Sequence, residues 1–592
     1  MQHGRHVVKP ESRRIRRETE ESLNPPRSEE IPLSTRVASV VQAPRFGDDW
    51  WQHGVVYQIY PRSYADTDGD GVGDFQGIID HLDHLGRDGL GVDAIWLSPV
   101  YPSPGRDVGY DVSDHEHVDP LFGSEADFDR LVETAHARGI RIVLDLVMNH
   151  TSDAHPWFVA SRASRTGPYA DWYLWRDPGG AGQDGEPLPP NNWVSWFGGP
   201  AWTFEPRRGQ FYHHTFLAEQ PELNWRAPGV EAAQFKMVRG WLDRGVDGFR
   251  LDTFNVFLKH PGMAANPTRR GSSAWMRQVH RYDVDQPDLA ALIARFRAIV
   301  DQAPGRMSVG ELFVGTTERA AALTTDRHLV FDWELLTRPW SADAFRAAIR
   351  RRERAFGAAR WPTIVLSNHD QPRHASRLAE SIGATDEERD AIARAAATIE
   401  LTMRGTPFLY YGEEIGMGDV AIPPEESVDP PTSRVGPDFQ WWDRSQSRTP
   451  LPWSGGHGAG FTTGQPWLRL GSETDHRDVA SQRADPDSVL ACYRRLLAAR
   501  AGQPSLQDGS LELLDVGDPT VLAYRRFGSG AEVLVMIAFD RAGATVRPPA
   551  PRHGGAWRPI VGTHRDVPPT LAPKGTHRLR PFEALVVVAA HR

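Results

Sequence analysis

Arg250 and Asp252 alternate along the apolar run Gly248-Phe249-Arg250-Leu251-Asp252-Thr253, so an extended strand points both side chains to one face and Phe249 and Leu251 to the other. Two charges side by side on a buried strand either do chemistry or form a salt bridge. Similar residues close other apolar runs. Asp145, Asn149 and His150 end or follow Ile142–Val147, Glu311 follows Met307–Gly310, and Asn368, His369 and Asp370 follow Thr363–Leu366. Carboxylates gathered in one cleft can divide the work of nucleophile and general acid/base, because their surroundings push their proton affinities apart. A lone polar residue at a strand end is more simply satisfied by backbone groups. A whole set of like charges destabilises a cleft unless a ligand compensates.

Positioning such a set needs strands whose ends meet. From Val55 the chain repeats short apolar strands followed by amphipathic segments: Val55–Tyr60, Ala94–Leu97, Ile142–Val147, Gly248–Asp252, Met307–Glu311, His328–Phe331, Thr363–Leu366 and Pro407–Tyr411. Eight such units predict an α/β fold, a closed (β/α)8 TIM barrel. Active groups of such barrels come from the C-terminal ends of several strands, where these carboxylates, histidines and Arg250 fall. Residues 151–232, rich in Trp, Gly, Pro and His and without clear helical periodicity, predict an inserted subdomain after strand 3. A second long Gly/Pro/Trp stretch, 415–470, reads as a functional loop or lid. From about residue 505 strands alternate without helices, as in Val521–Arg525, Val533–Ile537 and Ala584–Ala590, which predicts a C-terminal antiparallel β domain over 505–592. The catalytic barrel then spans 47–504. Residues 1–46, with Arg13, Arg14, Arg16, Arg17, Glu18, Glu20 and Glu21 and no apolar periodicity, read as a disordered N-terminal tail.

Four motifs taken together, Asp145-Leu-Val-Met-Asn149-His150, Gly248-Phe-Arg250-Leu-Asp252, Gly310-Glu311-Leu312 and Asn368-His369-Asp370, closely resemble the α-amylase superfamily of glycoside hydrolases, in its α-glucosidase and oligo-1,6-glucosidase-like branch. The resemblance runs from about residue 48 to the C-terminus and holds in order and spacing. It implies that Asp252 is the nucleophile, Glu311 the general acid/base and Asp370 the carboxylate that grips sugar hydroxyls and stabilises the transition state. A retaining pair of this kind stands about 5 to 5.5 Å apart and works through a covalent glucosyl-enzyme. Arg250 would keep the nucleophile ionised and oriented, and His150 and His369 would donate to sugar hydroxyls.

The same resemblance implies a pocket for one terminal glucose. Asp107 and Tyr110 match the branch's carboxylate for the non-reducing end and its ring-stacking tyrosine, and Arg444 matches the arginine that pairs with that carboxylate. Together they would close the pocket and make the enzyme exo-acting. Phe216 and Gln220, just before Pro221-Glu222-Leu223-Asn224-Trp225, would line it. The family more often has aspartate at the Glu222 position, a departure that leaves the chemistry untouched. Thr253 follows the nucleophile, and relatives with threonine there tend toward α-1,4 rather than α-1,6 linkages. The implied reaction is hydrolysis of maltose-like oligosaccharides. The alternatives are a trehalose- or sucrose-rearranging isomerase, a transglucosylase, or an α-1,6-preferring oligo-glucosidase.

Asp66-Thr-Asp68-Gly-Asp70-Gly-Val72-Gly-Asp74 spaces carboxylates at positions one, three, five and nine, with the Val72 carbonyl at seven. Oxygen ligands in that pattern wrap a hard cation, so the loop predicts a structural Ca2+, with Mg2+ as second choice. Without an ion the loop is an acidic, solvated turn with dense self-repulsion.

The bulk properties agree. The 592 residues carry 67 basic against 77 acidic side chains, a net charge of −10, which disfavours nucleic acid and anionic membranes as partners. The lone Cys492 excludes an internal disulfide and fits a reducing, cytoplasmic setting. The tail lacks the apolar run of a secretory signal, and Ala584–Ala590 is too short to span a bilayer. Twenty tryptophans, many in Gly/Pro-rich surroundings, suit either sugar rings or packing beneath long loops.

Overall fold

Short parallel strands pair in the order six, five, four, three, two, one, eight, seven in a computed structural model that describes residues 42–326, 328–435, 443–474 and 477–590. The tail reading lies outside the described residues apart from 42–46. The strands are β1 (Val56–Ile59), β2 (Ala94–Leu97), β3 (Arg141–Leu146), β4 (Gly248–Leu251), β5 (Met307–Gly310), β6 (Leu329–Val330), β7 (Thr363–Ile364) and β8 (Thr406–Tyr410). All eight expected strands are present, with β6 and β7 reduced to two residues each. The sheet curls into the (β/α)8 barrel, and its ladder is interrupted only between β6 and β7. There the Thr363 hydroxyl donates to the Val330 carbonyl at 3.3 Å and accepts the Asp332 N–H at 3.0 Å. A side chain stitches what backbone pairing leaves open.

Side-chain alternation fills both sides of the barrel wall. Val56, Trp96, Val143, Met307, Val309, Leu329, Val365 and Phe408 form the interior cluster. Tyr57, Ile95, Ile142, Leu144, Phe249 and Leu251 pack outward with the helix faces in the main core. Fully burying one such side chain is worth about 1.5–3 kcal/mol. The covering helices start where the sequence caps them. Ser124 and Asp127 form a capping box at the head of α1 (Glu125–Ala137), and Thr385 and Glu388 do the same for a helix over Asp386–Thr402. Behind β4, α2 (Pro228–Asp243) and α3 (Leu289–Val300) supply Phe235 and Phe296, and Phe296 packs on Phe249 at 6.3 Å between ring centres.

The insertion after β3 holds a three-stranded antiparallel sheet, Trp175–Arg176, Gln210–His213 and Trp202–Glu205. It also holds one helix that periodicity did not reveal, Pro156–Ala163. His155 caps its first turn and Pro156 begins it, and eight residues are too few to show an apolar stripe. Most of its tryptophans, Trp175, Trp193, Trp202 and Trp225 among them, are buried under the loops, so packing accounts for them. The stretch after β8 lies on the β1 loop, where the Leu451 N–H donates to the Ser63 carbonyl at 2.9 Å and the Trp453 indole to the Tyr64 carbonyl at 2.6 Å. At the C-terminus, five antiparallel strands pair in the order Ser510–Leu514, Val521–Phe527, Val533–Ala538, Ala584–Ala589, Trp557–Gly562. Cys492 is fully buried on the helix Val489–Gly502, and burial pushes its thiol up to about 11. Among the described residues no helix is long and apolar enough to cross a membrane.

Candidate active site

Register brings the charges together. Asp145 on β3 is the direct neighbour of Arg250 on β4, and Leu251 is the direct neighbour of Gly310 on β5, so Asp145, Arg250, Asp252 and Glu311 arrive at one level of the barrel mouth. Arg250 is completely enclosed and serves all three carboxylates. Its Nη1 donates to Asp145 Oδ1 at 2.8 Å and to Asp252 Oδ1 at 3.0 Å, and its Nη2 contacts Glu311 Oε2. The salt-bridge meaning of the Arg/Asp alternation therefore holds, since the ion pairs of Arg250 are the frame of the cluster. The turn after β4 adds a strained residue. Thr253 sits at φ +33, a region β-branched side chains rarely adopt, and from there its hydroxyl donates to Asp252 Oδ2 at 3.1 Å.

The environment separates the carboxyls. Burial, with help from the Asp252, Asp370 and Asp145 charges and against the pull of Arg250, holds the Glu311 carboxyl well above the usual range. Asp370 goes the other way. Burial would raise it, yet His369, Arg444, Arg448 and Arg250 together hold it well below the usual carboxylate range. The two carboxyls are thus pushed in opposite directions, the separation by which a pair of carboxyls divides acid from base work.

A second group of charges is joined by ion pairs around Arg444. Arg444 Nη2 reaches Asp107 Oδ1 at 2.7 Å and its Nη1 reaches Asp370 Oδ1 at 3.2 Å, while Arg448 Nη2 reaches the same Asp370 oxygen at 2.8 Å. Gln220 donates to Asp107 Oδ2 at 3.0 Å. The Tyr110 ring lies flat on His369, 5.3 Å between centres, and its hydroxyl reaches Asp145 Oδ2 at 3.0 Å and His369 Nε2 at 2.5 Å. Gln58 occupies the other histidine nitrogen at 2.8 Å. With Gln58 donating there, a line of bonds runs from Gln58 through His369 and Tyr110 to Asp145.

The cleft, about 310 Å³, is lined by Asp107, Tyr110, His150, Phe216, Asp252, Thr253, Glu311, Asn368, Asp370 and Arg444. Arg250, Gln220 and His369 stand behind that lining. For His369 and Gln220 this differs from the sequence expectation: His369 is sealed with both nitrogens engaged, and Gln220 braces Asp107 and His150 rather than facing the cavity. Trp196, Phe197, Phe313, Val314, Trp333 and Leu336 add an apolar part to the same lining. Arg448, Gln58 and Asp429 belong to the site but had no assigned role from sequence. Arg448 carried one signal, its place four residues after Arg444, whereas the Pro-rich surroundings of Asp429 carried none. Glu222 is buried off the cleft. Lys259 pairs with it, His213 meets it at 3.0 Å and the Thr215 hydroxyl donates to it at 2.6 Å.

In the acidic loop, carboxylate oxygens of Asp66, Asp68 and Asp74 lie within 4.8 Å of one another, and Asp70 stands outside that cluster, accepting the Val72 N–H at 2.7 Å. The Asp70 N–H bond works to lower the Asp68 carboxyl, but desolvation and the charges of Asp70, Asp66 and Asp74 leave it raised. Three hard oxygen donors under mutual repulsion fit a hard cation. The loop is also tied to the 450–470 stretch: the Thr462 hydroxyl contacts Asp66, the Asp66 N–H donates to the Phe461 carbonyl at 2.8 Å, and the Trp467 N–H donates to the Gly71 carbonyl at 3.0 Å. Gly71 has φ +92, and a Cβ there would meet the Gln465 carbonyl oxygen at 1.9 Å, so only glycine allows this approach.

The family description "Alpha amylase, catalytic domain" matches residues 58–509. Among curated proteins, a probable alpha-glucosidase of Rhizobium meliloti is 40% identical over 521 residues, 85% of this chain and 92% of that protein. An oligo-1,6-glucosidase of Heyndrickxia coagulans is 37% identical, covering 91% of this chain and 99% of its own length. Among solved structures, an alpha-glucosyl transfer enzyme superposes with a TM-score of 0.82 at 40% identity over 93% of this chain and 100% of that one.

Proposed function

The chain belongs to the α-amylase family of glycoside hydrolases, enzymes that act by retaining double displacement, and from that footing we propose that it is an exo-acting α-glucosidase releasing terminal glucose from short α-linked, chiefly α-1,4-linked, oligosaccharides such as maltose. One observation supports the exo reading: Arg444 bonds both Asp107 and Asp370, all three lining the cleft, a bridge that in this reading closes the pocket beyond a single terminal ring.

In this reading Glu311, whose proton affinity burial raises, gives a proton to the glycosidic oxygen as Asp252 attacks the anomeric carbon. Arg250 and Thr253 fix the two Asp252 oxygens, so the attacking one is aimed before substrate arrives. Asp370, ionised between two arginines, takes the hydroxyls of the distorting ring. Glu311, now a carboxylate, activates the water that frees glucose. Phe216 and His150 line the ring's pocket. Thr253 beside the nucleophile supports the α-1,4 preference.

The apolar part of the lining gives weight to a second reading, transfer of the glucosyl group to another hydroxyl, because residues that exclude water favour a bound acceptor over hydrolysis. For the acidic loop we propose a structural Ca2+, with Mg2+ as the alternative, held by Asp66, Asp68 and Asp74 and completed by Asp70 and the Val72 carbonyl. The ion would neutralise the cluster and brace the 450–470 stretch. A cytoplasmic location is likewise our proposal, supported by the single buried cysteine.

Incubation with maltose, isomaltose, sucrose and trehalose tests the assignment. Glucose release fastest from maltose is the expected outcome, and new disaccharides without net glucose would replace hydrolysis by transfer. Asp252→Asn should remain folded by circular dichroism and lose at least about 10^4-fold in turnover; ordinary activity in that variant would remove Asp252 from its role.

A further inference from the structure

Arg444 is gripped from behind as well as from within the cleft, and we propose that Asp429 is a positioning residue that fixes this arginine and thereby sets the blind end of the glucose pocket. The proposal rests on the exo-α-glucosidase reading above. Asp429 follows β8 in the stretch that also supplies Arg444; its side chain is fully buried and it is not part of the cleft lining.

One carboxylate fixes both the backbone and the side chain of Arg444. Asp429 Oδ2 accepts the Arg444 backbone N–H at 2.9 Å, and Oδ1 accepts the side-chain Nε–H and lies within 2.6 Å of Nη2. With the Nε edge of the fork committed to Asp429, Nη2 also reaches Asp107 and Nη1 reaches Asp370. The Phe197 ring packs on the guanidinium at 5.4 Å. Arg448 cannot substitute for Asp429, because it approaches Asp370 directly and donates its Nε–H to the His369 carbonyl. Asp429 is itself held, since its N–H donates to the Ser427 hydroxyl at 3.2 Å and its carbonyl accepts the Ser433 N–H at 2.9 Å. A long arginine left free of this grip would recover several rotamers. The wall closing the pocket would then be present only part of the time.

Asp429 touches no sugar, so the test separates positioning from general damage. In Asp429→Asn, which keeps the shape and loses the charge, KM for maltose should rise about 10-fold with kcat within about 3-fold of the parent, because uniform binding is what is lost. Asp429→Ala should also begin to cleave a maltooligosaccharide blocked at its non-reducing end, which the parent leaves intact. Combining Asp429→Ala with Arg444→Ala should be no worse than Arg444→Ala alone, because both act on one wall. Unchanged KM in Asp429→Asn, an intact blocked substrate, or fully additive losses would overturn the proposal. If Asp429→Ala fails to fold, the asparagine variant and its KM-against-kcat split decide alone. A parent protein that frees no glucose from any α-glucoside would instead remove the exo-glucosidase reading and this proposal with it.

Discussion

Glu311 and Asp370 hang from neighbouring parts of one cleft and are pushed in opposite directions, so the pH dependence of the enzyme follows from what surrounds each carboxyl. Because the Glu311 pKa is raised, a general acid in the proposed role is present below that value, and kcat/KM should fall as pH climbs through it. Glu311→Gln should lose about 10^2 to 10^4-fold on maltose and much less on a glucoside with an activated aryl leaving group, and its alkaline limb on that substrate should vanish. The stability effect has a defined sign. A carboxyl whose folded pKa is raised supports the fold below its ordinary value and loses that support as pH rises through the raised one. The melting temperature of Glu311→Gln relative to the parent should therefore increase from acid to alkaline pH, and a difference that shrinks instead would contradict the raised pKa.

Strand periodicity made much of this legible. Asp145, Arg250, Asp252 and Glu311 each end an apolar run, so a two-residue alternation fixed which way they point and the barrel rule fixed which end they reach. Glycine had a part that periodicity could not show. A Cβ on Gly248 would meet the Met307 carbonyl oxygen at 2.5 Å and its Cγ at 2.9 Å, so β4 can lie against β5 only because the first residue of the motif has no side chain. Gly248→Ala should cost about 1–3 kcal/mol in urea denaturation. It should also lower kcat, because the strand carrying Arg250 and Asp252 moves against the one carrying Glu311. What stayed hidden lies in irregular backbone. Asp429 sits between prolines, Arg448 lies past a turn, and the roles of Gln58 and His369 depend on contacts across strands one, two and seven. No local period encodes contacts between loops that are distant in sequence.

Across the molecule, the acidic loop after β1 and the 450–470 stretch form one unit through Asp66, Gly71, Thr462 and Trp467. That stretch is continuous with the turn bearing Arg444 and Arg448, so a cation in the loop would act on the proposed glucose pocket although none of its carboxylates lines the cleft. Dialysis against a chelator should lower the melting temperature, and restoring Ca2+ should recover it with a concentration dependence set by mass action. Asp68→Asn should weaken that recovery while kcat at saturating Ca2+ stays near the parent value. A chelator-indifferent melt would leave the loop as a self-bonded acidic turn. The barrel wall has its own asymmetry. Seven strand boundaries are closed by backbone ladders and the eighth by side chains, the Thr363 hydroxyl and Arg352, which donates to the Asp332 carboxylate and to the Thr363 carbonyl. A cylinder stitched at one seam has a preferred place to breathe, and the strand on its far side, β7, leads straight into Asp370. Asp370, which in the proposed mechanism holds the distorted ring, thus follows the strand beside this seam, and Arg444 and Arg448, from the stretch after β8, pair with it independently of the seam.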